Sequence, residues 1–152
     1  MANIQNPRKV FNFTIYVDGL NPWLAQEVTI PEVTLDKTPH GDANSEVKTA
    51  GMRKVGDMNI KKLMPSDATD LWLSAWLEQC QSAYTGSGDL PSNYKRDLIV
   101  DQLGPDNITV VGSWEIKGAF PARRGEFALN RMSSDNVIED IDLSCDDCRQ
   151  IF

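Results

Sequence analysis

Trp114-Glu-Ile-Lys-Gly-Ala-Phe-Pro121 and, after a polar gap, Val137-Ile-Glu-Asp-Ile-Asp-Leu143 carry the reading of the fold. The first predicts a strand ending at a kinked Gly-Ala-Phe-Pro corner; the second predicts a strand of alternating apolar and acidic side chains. Glu115 and Lys117 flank Ile116, and Asp140 and Asp142 flank Ile141. Successive strand side chains point to opposite faces, so this spacing places one face on a core and the other in water. The wet face is largely acidic and holds no catalytic grouping, which points to a structural surface.

The same alternation extends outward. Phe11, Phe13, Ile15 and Val17 alternate with Asn12, Thr14 and Tyr16, a strand closing at the Asp18-Gly19 turn. Glu27 to Leu35 is a second extended run, with Pro31 forcing a bend or an edge. Asp57–Met64 and Lys95–Leu103 alternate too, and Gly104-Pro-Asp-Asn107 turns the chain into Ile108–Lys117. From Asp36 to Gly56 the period lapses, apart from a short extended piece near Glu46–Thr49. Such a lapse is uncommon inside a domain. It predicts a long hairpin arm projecting from the sheet, with a solvated loop as the other reading.

A helix is predicted from about Asp67 to Tyr84. Ser66 suits its N-cap, and Asp67 and Asp70 favour the positive end of its dipole. Leu71, Trp72, Ala75, Trp76, Cys80 and Ala83 form an apolar stripe opposite Asp70, Ser74, Glu78 and Gln81. Gly86-Ser-Gly88 and Pro91 end it in a loop. The expectation is one mainly β domain over residues 1–152, an antiparallel sandwich or barrel of six or seven strands. One helix near 67–84 buttresses it, and an arm near 36–56 projects from it.

The 152 residues suffice for one core without staples, and a net charge of −7 excludes non-specific grip on nucleic acid. The densest basic clusters are pairs: Arg8-Lys9, Lys61-Lys62 and Arg123-Arg124. The amino terminus has no apolar core of a secretory signal, and no apolar run approaches the roughly 18–20 residues that span a bilayer. Assembly in a cytoplasm, with no membrane partner, is expected.

Cys145-Asp-Asp-Cys148 has the spacing of a redox pair or half a zinc site. Zinc wants four ligands, and only Cys80 and His40 remain, neither at paired spacing. Asp146 and Asp147 disfavour a thiolate, the reverse of what redox chemistry needs. Two readings stand: inert thiols, or an intersubunit disulfide through Cys145 or Cys148, which the odd count of 3 cysteines suits. His40-Gly-Asp42 lacks a nearby nucleophile motif, and Arg123-Arg124-Gly125 has two readings, an anion site or, the better one, a turn salt-bridged to a neighbouring subunit. No enzyme, cofactor or metal is expected. A thiol-redox or metal-binding β domain using Cys145 and Cys148 is the rival of another class.

Taken in order, several stretches resemble the tail tube proteins of contractile-tailed bacteriophages and related contractile injection machines. They are Pro7-Arg-Lys9 leading into Phe13-Thr-Ile-Tyr-Val-Asp-Gly19, then Glu27–Leu35, Met58-Asn-Ile60, and Leu71-Trp72 with Trp76. Gly118-Ala-Phe-Pro121, Leu129-Asn130, Ser133 and Val137–Leu143 complete the set, which covers nearly the whole chain. The carboxyl end, Ser144-Cys-Asp-Asp-Cys-Arg-Gln-Ile-Phe152, departs from the family pattern and points to special chemistry there.

The resemblance implies hexameric rings stacked into a hollow tube in a virion tail, with partners in the sheath, the baseplate hub and the tail terminator. Tape-measure protein and DNA would occupy the lumen without specific binding. It makes Lys37, His40, Asp42, Glu46, Lys48, Arg53 and Lys54 candidates for ring stacking. Asp97, Asp101, Glu115, Asp140 and Asp142 become candidates for an acidic lumen, with outside solvent as their other place. Asp70, Ser74, Glu78 and Gln81 become candidates for facing the sheath, or a plain solvated helix face. The tube of a non-viral injection or secretion machine carrying protein cargo is the nearest alternative.

Overall fold

The computed structural model describes residues 8–17, 20, 22–41, 44–65 and 71–152. Its elements are β1 (Phe13–Tyr16), a 3-10 turn at Pro22–Leu24, β2 (Ala25–Thr29), β3 (Val33–Gly41), β4 (Glu46–Val55), β5 (Met58–Leu63), α1 (Trp72–Cys80), α2 (Pro91–Tyr94), β6 (Arg96–Leu103), β7 (Val110–Arg124), β8 (Ile138–Ser144) and β9 (Asp147–Gln150). One antiparallel sheet runs β1-β6-β7-β8-β5-β2 with β9 added to β7, while β3 and β4 pair only with each other. The architecture is mainly β, curled around one core.

Alternation builds that core. Met58 and Ile60 of β5, Ile141 and Leu143 of β8, Leu98 and Val100 of β6, Ile116 of β7 and Ile15 of β1 all turn inward and are buried. Each such side chain removed from water contributes roughly 1.5–3 kcal/mol. Leu73 and Trp76 of α1 close one side of it, and Cys148 of β9 joins the same cluster.

β7 differs from the expected strand that stops at the Gly-Ala-Phe-Pro corner. It runs on through the corner for 15 residues and changes partners there. Before the corner it pairs with β6 and β9, after it with β8. Gly118 makes the bend at φ +65°, where a Cβ would also collide with the Asp146 carboxylate. Pro121, which has no N–H to give the ladder, sits at the register shift that follows.

α1 is shorter than expected. It stops at Cys80 because Gln81 is extended, at φ −159° and ψ 120°, and the Gly86–Gly88 loop folds back over the helix end. There Asp89 N–H donates to the Gln79 carbonyl at 3.1 Å, and a Cβ at Gly88 would collide with the Cys80 carbonyl. The buried stripe is also rotated from the expected one: Leu73 is buried, whereas Leu71 is 63% exposed. Trp76 anchors the helix, donating its indole N–H to the Tyr94 carbonyl at 2.8 Å with the Arg96 guanidinium 4.6 Å above its ring. Tyr94 lies on α2, in a stretch expected to be loop. The expected cap at Ser66 and the Asp18-Gly19 turn lie outside the described residues.

Candidate assembly surfaces

Among the described residues the sheet has two unclosed ends: β1 pairs only with β6, and β2 only with β5. Between these strands lies a cleft of about 620 Å³, floored by Phe13, Val28, Ile30, Val100 and Trp114 and rimmed by Phe11, Gln26, Glu27 and Gln102. Phe11, expected on the core face, instead stands 73% exposed at the mouth of this cleft. An unpaired strand edge is a template for another chain, and natural folds blunt such edges with short strands, charges, proline, bulges or a covering element.

The arm is the second surface. The lapse between Asp36 and Gly56 is a hairpin in the structure, with the 9 residues of β3 against the 10 of β4 and a register shift between Leu35 and Lys37. Every residue of β3 is exposed, and so is all of β4 except Val55. Among the expected stacking residues, Lys37, Glu46 and Lys48 sit exposed along the ladder, and His40 Nε2 lies 3.1 Å from Thr49 Oγ1 across it. Lys54 pairs with Asp36 at 3.2 Å; Asp42 lies outside the described residues. Arg53 reaches back to its own chain. Its Nε donates to Asp147 Oδ1 at 3.0 Å and its Nη2 to the Cys148 carbonyl at 2.6 Å, clamping the arm's base to β9. Leu35, Val47 and Met52, which the sequence reading passed over, are 54%, 53% and 71% exposed.

The five candidate lumen carboxylates all alternate with core residues and fall in two groups along the sheet. Asp97, Asp101 and Glu115 lie on β6 and the first half of β7; Asp140 and Asp142 lie on β8, beyond the corner. Most of their charge is compensated. Glu115 faces Lys117 at 3.4 Å and Arg149 at 3.3 Å. Arg123 pairs with both Asp140 and Asp142, and the Asn59 amide donates to the same two carboxylates at 2.6 and 2.7 Å. These bonds hold the Asp142 carboxyl below the usual carboxylate range, the Arg123 hydrogen bond chief among them and the Asn59 bond next. Arg123, read from the sequence as bridging to a neighbouring subunit, pairs within its own chain in the structure of the single chain. Asp101 accepts a hydrogen bond from Ser113 Oγ at 2.7 Å and Asp97 one from Gly118 N–H at 3.1 Å; neither has an ion-pair partner among the described residues.

On α1, Ser74 and Glu78 are exposed, as is Gln81 just past its end, while Asp70 lies outside the described residues. Glu78 accepts the Ala83 N–H at 3.2 Å, tying down the turn that follows the helix.

The Cys-Asp-Asp-Cys stretch, expected to be tail, is the approach to β9 and its first half. Cys148 is only 3% exposed in the core, and the Cys145 thiol donates to the Gly56 carbonyl at 3.3 Å. Burial, assisted by neighbouring Cys148 and by Asp57, Asp146 and Asp147, pushes the Cys145 thiol up to about 11, and burial pushes Cys148 up as well. An intersubunit disulfide through Cys148 therefore requires β9 to leave β7. Among the described residues no group of three or more His, Cys, Asp or Glu is placed to hold a metal.

Sequence reading also missed a buried ion pair. Lys62, read only as half of a basic pair, is 1% exposed and faces Glu139 with Nζ and Oε2 3.8 Å apart. The two are register partners of β5 and β8. A signal was present: Lys62 shares the inward parity of Met58 and Ile60, and Glu139 that of Ile141 and Leu143.

A β domain with an open-edged sheet, an exposed arm and side chains engaged with one another is a unit that assembles with other chains. Its fold is that of contractile-machine tubes. Over 99% of this chain and 94% of the other, it superposes on a chain of the anti-feeding prophage tube-terminating cap with a TM-score of 0.80 at 16% identity. It also superposes on a chain of the sheath–tube complex of an extracellular contractile injection system, PVC, with a TM-score of 0.76 at 18% identity over 97% and 93%. The chain belongs to the T4-like virus tail tube protein gp19 family, which matches residues 9–149. The tail tube protein gp19 of Enterobacteria phage T4 is 31% identical over 111 residues, 71% of this chain and 68% of that protein. The chain is a structural subunit of a tail tube, and its place is the tail of the virion. No described helix is long and apolar enough to cross a membrane.

Proposed function

We propose that copies of this chain close into six-membered rings that stack into a hollow, non-enzymatic conduit for a genome released on sheath contraction. The observation that carries this reading is the arm: two strands of 9 and 10 residues with almost nothing buried against their own chain. An isolated hairpin is marginal in water, so the arm's natural place is against another subunit. Joining sheets around a ring removes unpaired edges, and a contact that repeats without closing along the axis generates a filament.

Lys37, His40, Asp42, Glu46, Lys48 and Lys54 are stacking residues in this reading, and Arg53 orients the arm that carries them. Asp97 and Asp101, the two of the five with no ion-pair partner among the described residues, supply the negative charge of the lumen. There they repel duplex DNA, which bears about one charge per 1.7 Å of axis. Glu115, Asp140 and Asp142 add mainly a hydrated, charge-balanced surface. Ser74, Glu78 and Gln81, with Asp70 in the sequence before them, form the outward helix face that meets the sheath. The tube ends meet a baseplate hub and a terminator, and tape-measure protein and DNA pass without specific grip. Cys145 and Cys148 remain reduced.

Negative-stain electron microscopy with sedimentation of the purified protein tests the reading. Six-fold rings or hollow tubes are expected. A species that stays monomeric at high concentration and with a preformed tube end added as seed overturns it.

A further inference from the structure

We propose that the buried Lys62–Glu139 pair is a register lock, holding β5 and β8 in one of several alignments that their apolar side chains accept. The inward residues of β5 are Met58, Ile60 and Lys62, and facing them from β8 are Leu143, Ile141 and Glu139. A slip of one residue turns every side chain of a strand over, so burial alone forbids it. A slip of two residues keeps the faces. It sets Ile60 opposite Glu139 or opposite Leu143, with both strands still turning the same side chains inward. The ion pair does not survive it, because its members part by about 6.8 Å along the strand. Glu139, 5% exposed, then stands opposite Ile60 or Met64. Separating a buried charge from its partner is costly, whereas exposed pairs discriminate weakly.

The connections leave the alignment open. A short turn fixes the register of a hairpin, but β5 and β8 share no turn. Residues 125–137, between β7 and β8, form no strand and supply slack. β8 runs on towards β9, and both lie antiparallel on β7, so they can slide along it as one ribbon. On the wet face Asn59 donates to Asp140 and to Asp142, two residues apart, and so reads the alignment poorly. The rival lock is the Gly118 corner, where Asp146 N–H donates to the Lys117 carbonyl at 2.8 Å.

The test traps the alignment with disulfides on the wet face, where Lys61 is the register partner of Asp140. Lys61→Cys with Asp140→Cys reports the native register. Lys61→Cys with Asp142→Cys, or with Ile138→Cys, reports the two slips. Each cysteine pair is oxidised with glutathione disulfide in the full chain, and the links are mapped by peptide mass. The set is made with the ion pair present, with Lys62→Met/Glu139→Leu, and with the reversed pair Lys62→Glu/Glu139→Lys. With the ion pair present, the native link should form and the slipped links should stay at background. The apolar replacement should raise the slipped links at least about tenfold, and the reversed pair should return them to background. An apolar double variant that yields only the native link overturns the proposal and gives the lock to the corner. Slipped links that persist in the reversed pair overturn it too, because charge pairing then does not choose the register. So does an apolar double variant that fails to fold, which would make the pair part of the core's packing.

Discussion

β5 and β4 are both antiparallel strands, yet they live in different surroundings. β5 buries every second residue and has a strand on each side, whereas β4 is exposed along nine of its ten residues and has β3 alone. Hydrogen bonding makes a strand, but burial anchors it. The sheet holds its own core, while the arm's side chains are left exposed.

The sharpest way to break this contrast is at Lys62. Removing one member of a buried ion pair strands the other charge, so Lys62→Ala should destabilise the free subunit by about 3–5 kcal/mol in denaturant melts. The double change Lys62→Met with Glu139→Leu should restore most of that loss. Equal damage from single and double variants would mean that the pair matters for its shape and not for its charge.

Smaller effects follow from titration. The folded Cys145 thiol sits at about 11 against an ordinary 9.0, so the folded state favours its neutral form. The stability it contributes is complete below pH 9 and is lost as pH rises towards 11. Asp142 and Asp106 are shifted the other way, Asp106 to about 2. Their contribution is complete above the usual carboxylate range and disappears as pH falls through the depressed values. Melting curves against pH should show both flanks, and Cys145→Ser should flatten the alkaline one.

Arg53→Ala removes an ion pair that is 47% and 43% exposed, so its effect on the free subunit should stay below about 1 kcal/mol. It should nevertheless speed hydrogen exchange across β3 and β4 and slow tube growth, because the arm loses its brace. Smallest of all, Met52→Ser should change free-subunit stability by less than about 0.5 kcal/mol. Any loss of assembled material with that variant then reports on the arm's partner alone, and a large loss of monomer stability would erase the distinction between the two regions.

Much of the barrel was legible in the sequence because alternation is local. Met58-Asn-Ile60, Leu98 with Val100 and Ile141 with Leu143 show their inward parity without reference to partners. What depended on distant partners was not legible. β9 is a strand because β7 lies beside it, and Cys-Asp-Asp-Cys gives no sign of that neighbour. The carboxylates of β8 read as uncompensated charge in the sequence because Arg123, which pairs with them, lies outside their alternating run and reaches them only through strand pairing. Lys62 was read by its charge when its parity told more. The helix end was missed because Gly88 stops α1 by folding back on Cys80, a contact that local periodicity does not record.

The passage of β7 through the Gly118 corner has a mechanical meaning. A single strand of 15 residues is stitched to β6 and β9 at one end and to β8 at the other. A pull along it loads ladders on both sides of the bend in shear, so the two halves of the sheet cannot slide past each other unless many hydrogen bonds break together. Each subunit then behaves as one stiff beam with a built-in elbow, and whatever compliance a column of such beams possesses must reside in the joints between them.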